Sequence, residues 1–116
     1  MGRYNLSNIV YLDDEIELTN IFDLLFQQTF HNVTVFNNEH EAIAFCKASP
    51  PDMFFVDYRL EQMTGDKVAA ELDPTIKTIL VTGDIKIECE FKFDAVIKKP
   101  FKLSELLQTV TQFTST

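Results

Sequence analysis

The sequence predicts an α/β fold, a doubly wound five-stranded parallel sheet flanked by helices, with a shortened or irregular fourth crossover. Three observations carry that expectation. Short apolar runs alternate along the chain with segments of helical period, the pattern of repeated βαβ units. The run Met53-Phe54-Phe55-Val56 is apolar without a break, which suits a strand covered on both faces. Two of the runs also end in acid, this one in Asp57 and Ile9-Val10-Tyr11-Leu12 in Asp13-Asp14. In open α/β sheets the carboxyl ends of the strands are where ligands and chemistry collect, so these acids are candidates for a site as well as for simple turns.

The elements follow in order. After the first strand the period changes: Leu18, Ile21, Phe22 and Leu25 fall at i, i+3, i+4 and i+7, which predicts a helix from Glu15 to about Phe30. Asp13 or Asp14 could cap it, and Glu15 and Glu17 suit the positive end of its dipole. Val33 to Phe36 is a brief β-branched strand closed by Asn37-Asn38. Glu39 to Ala48 reads as a helix with Ala42, Phe45 and Cys46 on its inner side. The third strand enters from the turn signal Ser49-Pro50-Pro51-Asp52, and a loop containing Gly65 leads from it to a short helix over Lys67 to Leu72, stopped by Asp73-Pro74. Ile76 to Val81 is the fourth strand, with Thr82-Gly83-Asp84 at its end. Ala95-Val96-Ile97 is the fifth, followed by Lys98-Lys99-Pro100-Phe101. Leu103, Leu106, Leu107 and Val110 repeat the helical spacing and give a final amphipathic helix.

One segment breaks the rule. Ile85, Ile87, Cys89, Phe91 and Phe93 alternate with Lys86, Glu88, Glu90 and Lys92, which is period two. Adjacent parallel strands need a crossover of roughly a dozen residues, and residues 83–94 barely supply it. A short or distorted helix, or an extended crossover, is expected there.

At 116 residues the chain is long enough for one domain with a real core, expected to span residues 1–116. Its formal charge of -8 argues against a direct nucleic-acid binder and against an anionic membrane surface. Cys46 and Cys89 have neither metal-ligand nor redox spacing and are read as two buried thiols in a reducing cytosol; His31 and His40 are read as surface or packing residues. No signal-peptide run opens the sequence and no stretch reaches transmembrane length, so a cytoplasmic protein is expected.

In such a fold the ends of strands one, three, four and five converge, bringing together Asp13, Asp14, Asp57, Thr82 and Lys99. Two carboxylates about 4 Å apart repel by roughly 4 kcal/mol at an effective dielectric near 20, so clustered acids call for cations. Lys99 supplies one charge, and a hard divalent ion with oxygen ligands, Mg²⁺ above all, suits the rest. A carboxylate beside a metal, an ammonium and a hydroxyl is arranged to attack phosphorus.

These residues are where the chain resembles the receiver domain of two-component response regulators, a flavodoxin-like domain. The acidic pair Asp13-Asp14, Asp57 after an apolar strand, Gly65, Thr82 followed by a small residue, and Lys99-Pro100-Phe101 carry the resemblance, which runs over residues 9–110. It implies strand order 2-1-3-4-5 and phosphorylation of Asp57 by a sensor histidine kinase or a phosphotransfer protein. It also implies Mg²⁺ held by Asp14, Asp57 and the backbone carbonyl of Arg59, with Asp13 acting largely through water, and a cis Lys99-Pro100 peptide. The downstream effector is not implied, and a homodimer is one possible assembly. On this reading the domain catalyses only its own phosphorylation and dephosphorylation.

The chain departs from the family pattern in three places. Val96 stands where the family commonly has an aromatic switch residue. Glu61 stands where it often has Pro, which predicts a more mobile loop. The interval from Thr82 to Lys99 is about five residues shorter than usual, which would cut the fourth helix. Other functions fit the residues less well. An Asp-nucleophile phosphatase or dehalogenase would pair Asp57 with an acid two positions on, where Arg59 stands. A flavodoxin-like cofactor carrier would need a phosphate loop after Leu12, which is not there. A receiver reduced to docking would not need the full set of acids, Thr82 and Lys99.

Overall fold

In the computed structural model, which describes residues 6–84 and 86–114, strands and helices alternate as the periodicity predicts. β1 (Asn8–Leu12) leads to α1 (Ile16–Phe26), β2 (Asn32–Phe36) to α2 (Glu39–Ala48), and β3 (Met53–Asp57) to α3 (Gly65–Ala70). β4 (Lys77–Thr82) runs through a long connection to β5 (Ala95–Lys98), and α4 (Leu103–Thr114) follows. All five strands are parallel, in the order β2-β1-β3-β4-β5. The order reverses between β1 and β3, and a crevice forms there outside the carboxyl ends of the strands.

The two-residue period of the strands divides the core into two layers. Ile9, Tyr11, Met53, Phe55, Ile79 and Val81 point to one face, where Phe22 and Phe26 of α1 and Leu106 and Val110 of α4 cover them. Val10, Leu12, Phe54 and Val56 point to the other, against Ala42, Ile43 and Cys46 of α2 and Val68 of α3. Every residue of β3 is buried, which is why that strand reads as an unbroken apolar run.

Several local expectations shift. Helix α1 ends at Phe26, short of Phe30, and its inner stripe is Thr19, Phe22 and Phe26, while Ile21 is 47% exposed. Neither Asp13 nor Asp14 is its N-cap residue; Glu15 holds that position without a side-chain cap, although Asp13 Oδ1 accepts the Glu15 N–H at 3.0 Å. On α2 the inner residues are Ala42, Ile43 and Cys46; Phe45 is exposed and packs its ring on Phe36, with centroids 5.2 Å apart. The cap of α2 is Asn38, whose side chain accepts the Glu41 N–H at 3.0 Å. The third helix begins at Gly65, two residues before the predicted start. Cys89 is exposed while Cys46 is buried, so the pair of buried thiols does not exist. His31 is a packing residue that accepts the Ser7 N–H and meets the Phe26 ring edge-on; His40 is exposed against Gln62.

The fourth crossover is extended and irregular. Its described residues, 83, 84 and 86–94, form neither helix nor strand. Ile87, Phe91 and Phe93 are half-buried while Lys86, Glu88, Glu90 and Lys92 are exposed, so the alternation in sequence is an alternation in burial; Ile85 lies outside the described residues. The chain returns to the sheet at Asp94, whose N–H donates to Thr78 O and whose carboxylate accepts the Thr78 N–H, both at 2.8 Å.

Candidate functional site

Register assembles the site. Leu12 pairs with Val56, which sets Asp13 beside Asp57; Asp57 pairs with Val81, and Thr82 with Lys98, which sets Thr82 and Lys99 at the same edge. The five predicted residues do meet. Lys99 Nζ lies 2.8 Å from Asp13 Oδ2 and 3.2 Å from Asp57 Oδ2. Asp13, Asp14 and Asp57 each offer a carboxylate oxygen within 4.8 Å of the others, the one such acidic group among the described residues. Asp14, Asp57, Thr82 and Lys99 line an open pocket of about 390 Å³, together with Glu15, Arg59, Gly83 and Asp84.

Asp13 is enclosed behind this wall, and its oxygens are already engaged. Oδ2 accepts the Tyr11 hydroxyl and the Lys99 ammonium, and Oδ1 accepts the Glu15 N–H. Its backbone is fixed as well, since the N–H donates to Phe36 O and the carbonyl accepts the Asn37 side chain. Asp14 faces the open pocket.

The charges feel one another. Burial, and then the charge of Asp13, raise the Asp57 carboxyl from 3.8 to about 6, against the opposing pull of Lys99. Burial and Asp13 also raise the Asp14 carboxyl. Burial alone would lower the Lys99 amine, but its hydrogen bond to Asp13 and the charges of Asp13 and Asp57 outweigh that and hold it above its ordinary value. The cleft thus holds more negative charge than one ammonium balances. Its all-oxygen donor set suits a small hard divalent cation.

Gly65 has a steric role that spacing alone does not reveal. A Cβ there would fall against the backbone carbonyl oxygen of Asp57, far inside contact distance, and 3.1 Å from the carbonyl carbon. The close approach lets Gly65 N–H donate to Tyr58 O at 2.7 Å, closing the loop after β3. Gly83 is under no such constraint, because a Cβ there would meet only Lys99 Cβ at 3.9 Å.

Three features were not read from sequence. Glu15 lines the pocket as well as opening α1. Asp84 reaches across the mouth, its Oδ2 2.8 Å from Arg59 Nε and its N–H on the Thr82 hydroxyl. Glu39, at the start of α2, is buried and accepts backbone N–H groups from the loop after β3. The residues after Thr82 alternate in charge and gave Asp84 no distinction, and nothing in a string of letters shows which amides Glu39 can reach.

The predicted Lys99-Pro100 cis peptide is present. None of the helices among the described residues is long and apolar enough to cross a membrane.

Comparison with known proteins agrees with this architecture. The response regulator receiver protein CpdR of Brucella abortus (strain 2308) is 23% identical over 113 residues, covering 90% of this chain and 94% of the relative. A CheY-like response regulator receiver domain protein from Methanospirillum hungatei superposes with a TM-score of 0.84 at 23% identity, covering 92% of both chains. The signal receiver domain of an HD domain-containing protein from Pseudomonas fluorescens gives 0.85 at 20% identity, over 92% of this chain and 93% of that one. Residues 9–111 match the response regulator receiver domain family itself. With the parallel 2-1-3-4-5 sheet and a cleft of acids at its carboxyl edge, that match makes the chain a member of the receiver domain family of two-component response regulators.

Proposed function

We propose that Asp57 is the phosphoacceptor of this receiver and takes a phosphoryl group from a phosphohistidine on a sensor histidine kinase or a phosphotransfer protein. The observation that carries this reading is the Lys99 ammonium set between Asp13 and Asp57 at the wall of an open acidic pocket. A carboxylate oxygen of Asp57 forms the bond to phosphorus as the phosphorus–nitrogen bond breaks; the imidazole leaves with the electron pair and takes up a proton. Lys99 faces the incoming phosphoryl oxygens and offsets their charge. Thr82, whose oxygen accepts the Asp84 N–H, keeps its own O–H to donate to the phosphoryl group.

Asp13, Asp14, Asp57 and the backbone carbonyl of Arg59 are the groups that would hold Mg²⁺. When bound, the ion supplies the positive charge that the transferring group and the three acids require. Asp13, whose two oxygens each accept a protein donor, would act largely through water. The domain catalyses only its own modification and the slow hydrolysis that reverses it, in the cytoplasm, and passes the resulting conformational change to an effector.

Incubation with Mg²⁺ and a small acyl phosphate tests the reading by intact mass. The expected result is one phosphoryl adduct, lost on adding a chelator beforehand and absent from Asp57→Asn. An adduct that survives in the variant would refute it.

The Arg59–Asp84 pair lies along the same pocket, which supports a reading in which the arginine lies over the phosphoryl site rather than merely solvating the loop. An exposed ion pair is worth about 0.2–1 kcal/mol, which limits its effect to roughly fivefold in rate. Arg59→Ala is therefore expected to dephosphorylate up to about fivefold faster, as water enters more freely. Equal rates for variant and wild type would reduce Arg59 to a surface charge. The proposal extends to self-association through the alternating crossover segment, where Ile87, Phe91 and Phe93 are half-buried and line a pocket with the exposed Val96 of β5. Sedimentation at rising concentration is expected to show a dimer once the protein is phosphorylated, and a strict monomer in both states removes it.

A further inference from the structure

The loop from β3 to α3 follows directly on Asp57 and carries Arg59, which lines the pocket, so its shape decides the shape of the site. Proline would fix φ in such a loop, but Glu61 leaves the backbone unrestrained. The loop is nevertheless held at both ends and in the middle. Its ends are closed by the Gly65 N–H on Tyr58 O and by an antiparallel bridge between Arg59 and Thr64. Its middle is gripped from outside. Glu39, only 2% exposed, accepts the backbone N–H of Gln62 at 2.5 Å and of Met63 at 3.2 Å on the same oxygen, Oε2. Next to it, the His40 ring meets the Gln62 side chain at 2.8 Å.

A carboxylate withdrawn from water is costly unless charge-assisted hydrogen bonds repay the desolvation. Glu39 finds those bonds on a segment 23 and 24 residues away, while its place in the first turn of α2 adds the favourable end of the helix dipole. We propose that Glu39 is a positioning residue: from the start of α2 it fixes the loop after β3, and through that loop it presents the Arg59 carbonyl and Asp57 to the bound cation. The role rests on the reading of the pocket as the Mg²⁺ and phosphoryl site. It gives the second helix a direct hold on the site, with no side chain of its own in the pocket.

Amide hydrogen exchange on two variants tests it. Glu39→Asp keeps the charge at the helix start but ends one methylene short of the loop; Glu39→Gln keeps the reach and loses the charge. In Glu39→Asp the Gln62 and Met63 amides are expected to exchange at least about tenfold faster while the amides of β1 and β3 stay protected. Its Mg²⁺ affinity, followed by tyrosine fluorescence, is expected to weaken by roughly tenfold. Glu39→Gln retains an acceptor oxygen and is expected to stay within about threefold of wild type on both readouts. Wild-type protection of the two amides in Glu39→Asp overturns the tether, and freed amides with unchanged Mg²⁺ affinity overturn the positioning role. Failure of the wild-type protein to bind Mg²⁺ at all is a different result. It would overturn the reading of the pocket, and the positioning role with it, even if the exchange pattern showed the tether.

Discussion

Asp57→Asn is expected to be inert toward phosphoryl donors and, at neutral pH and without metal, more stable than the wild-type protein. The Asp57 carboxyl titrates near 6 in the folded chain against 3.8 as its ordinary value, chiefly because it is buried and then because Asp13 stands beside it. The folded state therefore holds this proton more tightly than the unfolded chain does. The resulting stabilisation is fully present below about pH 3.8 and is lost as pH rises through about 6. A shift of this size corresponds to at most about 3 kcal/mol, and partial access of water from the pocket reduces it to roughly 1–2 kcal/mol. Asparagine carries no charge to bury, so the variant is expected to melt about 3–8 °C higher at pH 7.5 and to lose that advantage near pH 4. If Mg²⁺ is held as proposed, it is expected to reverse the ranking, since a ligand at a hundredfold excess over its dissociation constant stabilises the state that binds it by about 2.7 kcal/mol and the variant would lack one carboxylate. A variant less stable than wild type at pH 7.5 in chelator would show that Asp57 is not strained in its site. Such a result would also undo the argument that the cleft needs a cation.

The largest loss of stability is expected from Gly65→Ala. The added methyl group would overlap the Asp57 carbonyl oxygen and lie 3.2 Å from Val56 Cγ2, and backbone cannot step aside as a flexible side chain can. Either α3 must move off the sheet or the end of β3 must bend, at a cost of about 3 kcal/mol, the upper end for overpacking. In a domain of this size that lowers the melting temperature by roughly 10–15 °C. Because the displaced atom belongs to Asp57, phosphoryl uptake is expected to fall together with stability. An alanine variant with native melting and native uptake would mean that the loop has slack where the close approach leaves none. Gly83→Ala is the internal control, since its Cβ has room.

The sheet was legible in the sequence because its central strands β1, β3 and β4 are buried on both faces, so Phe54 and Phe55 need not alternate with polar residues to be recognised. The predicted site was legible for a related reason. Each of its residues ends a strand or stands one or two positions beyond it, and once the strands are parallel their ends must meet. The phase of α1 was not. Leu18, Ile21, Phe22 and Leu25 make as good a helical stripe as Thr19, Phe22 and Phe26, and with Ile16, Ile21 and Leu24 on the outside there is too little polar contrast to choose between two rotations. Its end was misjudged because residues 27–30 turn without a glycine or proline to mark them; the Thr29 hydroxyl closes on the Phe26 carbonyl there. Cys89 reads as core by alternation, but the crossover has no second layer to cover it. Glu39 had the letter of an ordinary helix-start acid, and its hold on Gln62 and Met63 depends on where two distant segments come to lie.

Asp57, and none of the acids around it, is the proposed nucleophile. Brief phosphorylation followed by borohydride reduction converts an acyl phosphate to the corresponding alcohol, and peptide mass spectrometry then locates it. Homoserine is expected at position 57 alone. Homoserine at Asp13, Asp14 or Asp84, or a phosphate that resists reduction because it sits on a hydroxyl such as Thr82, would contradict it.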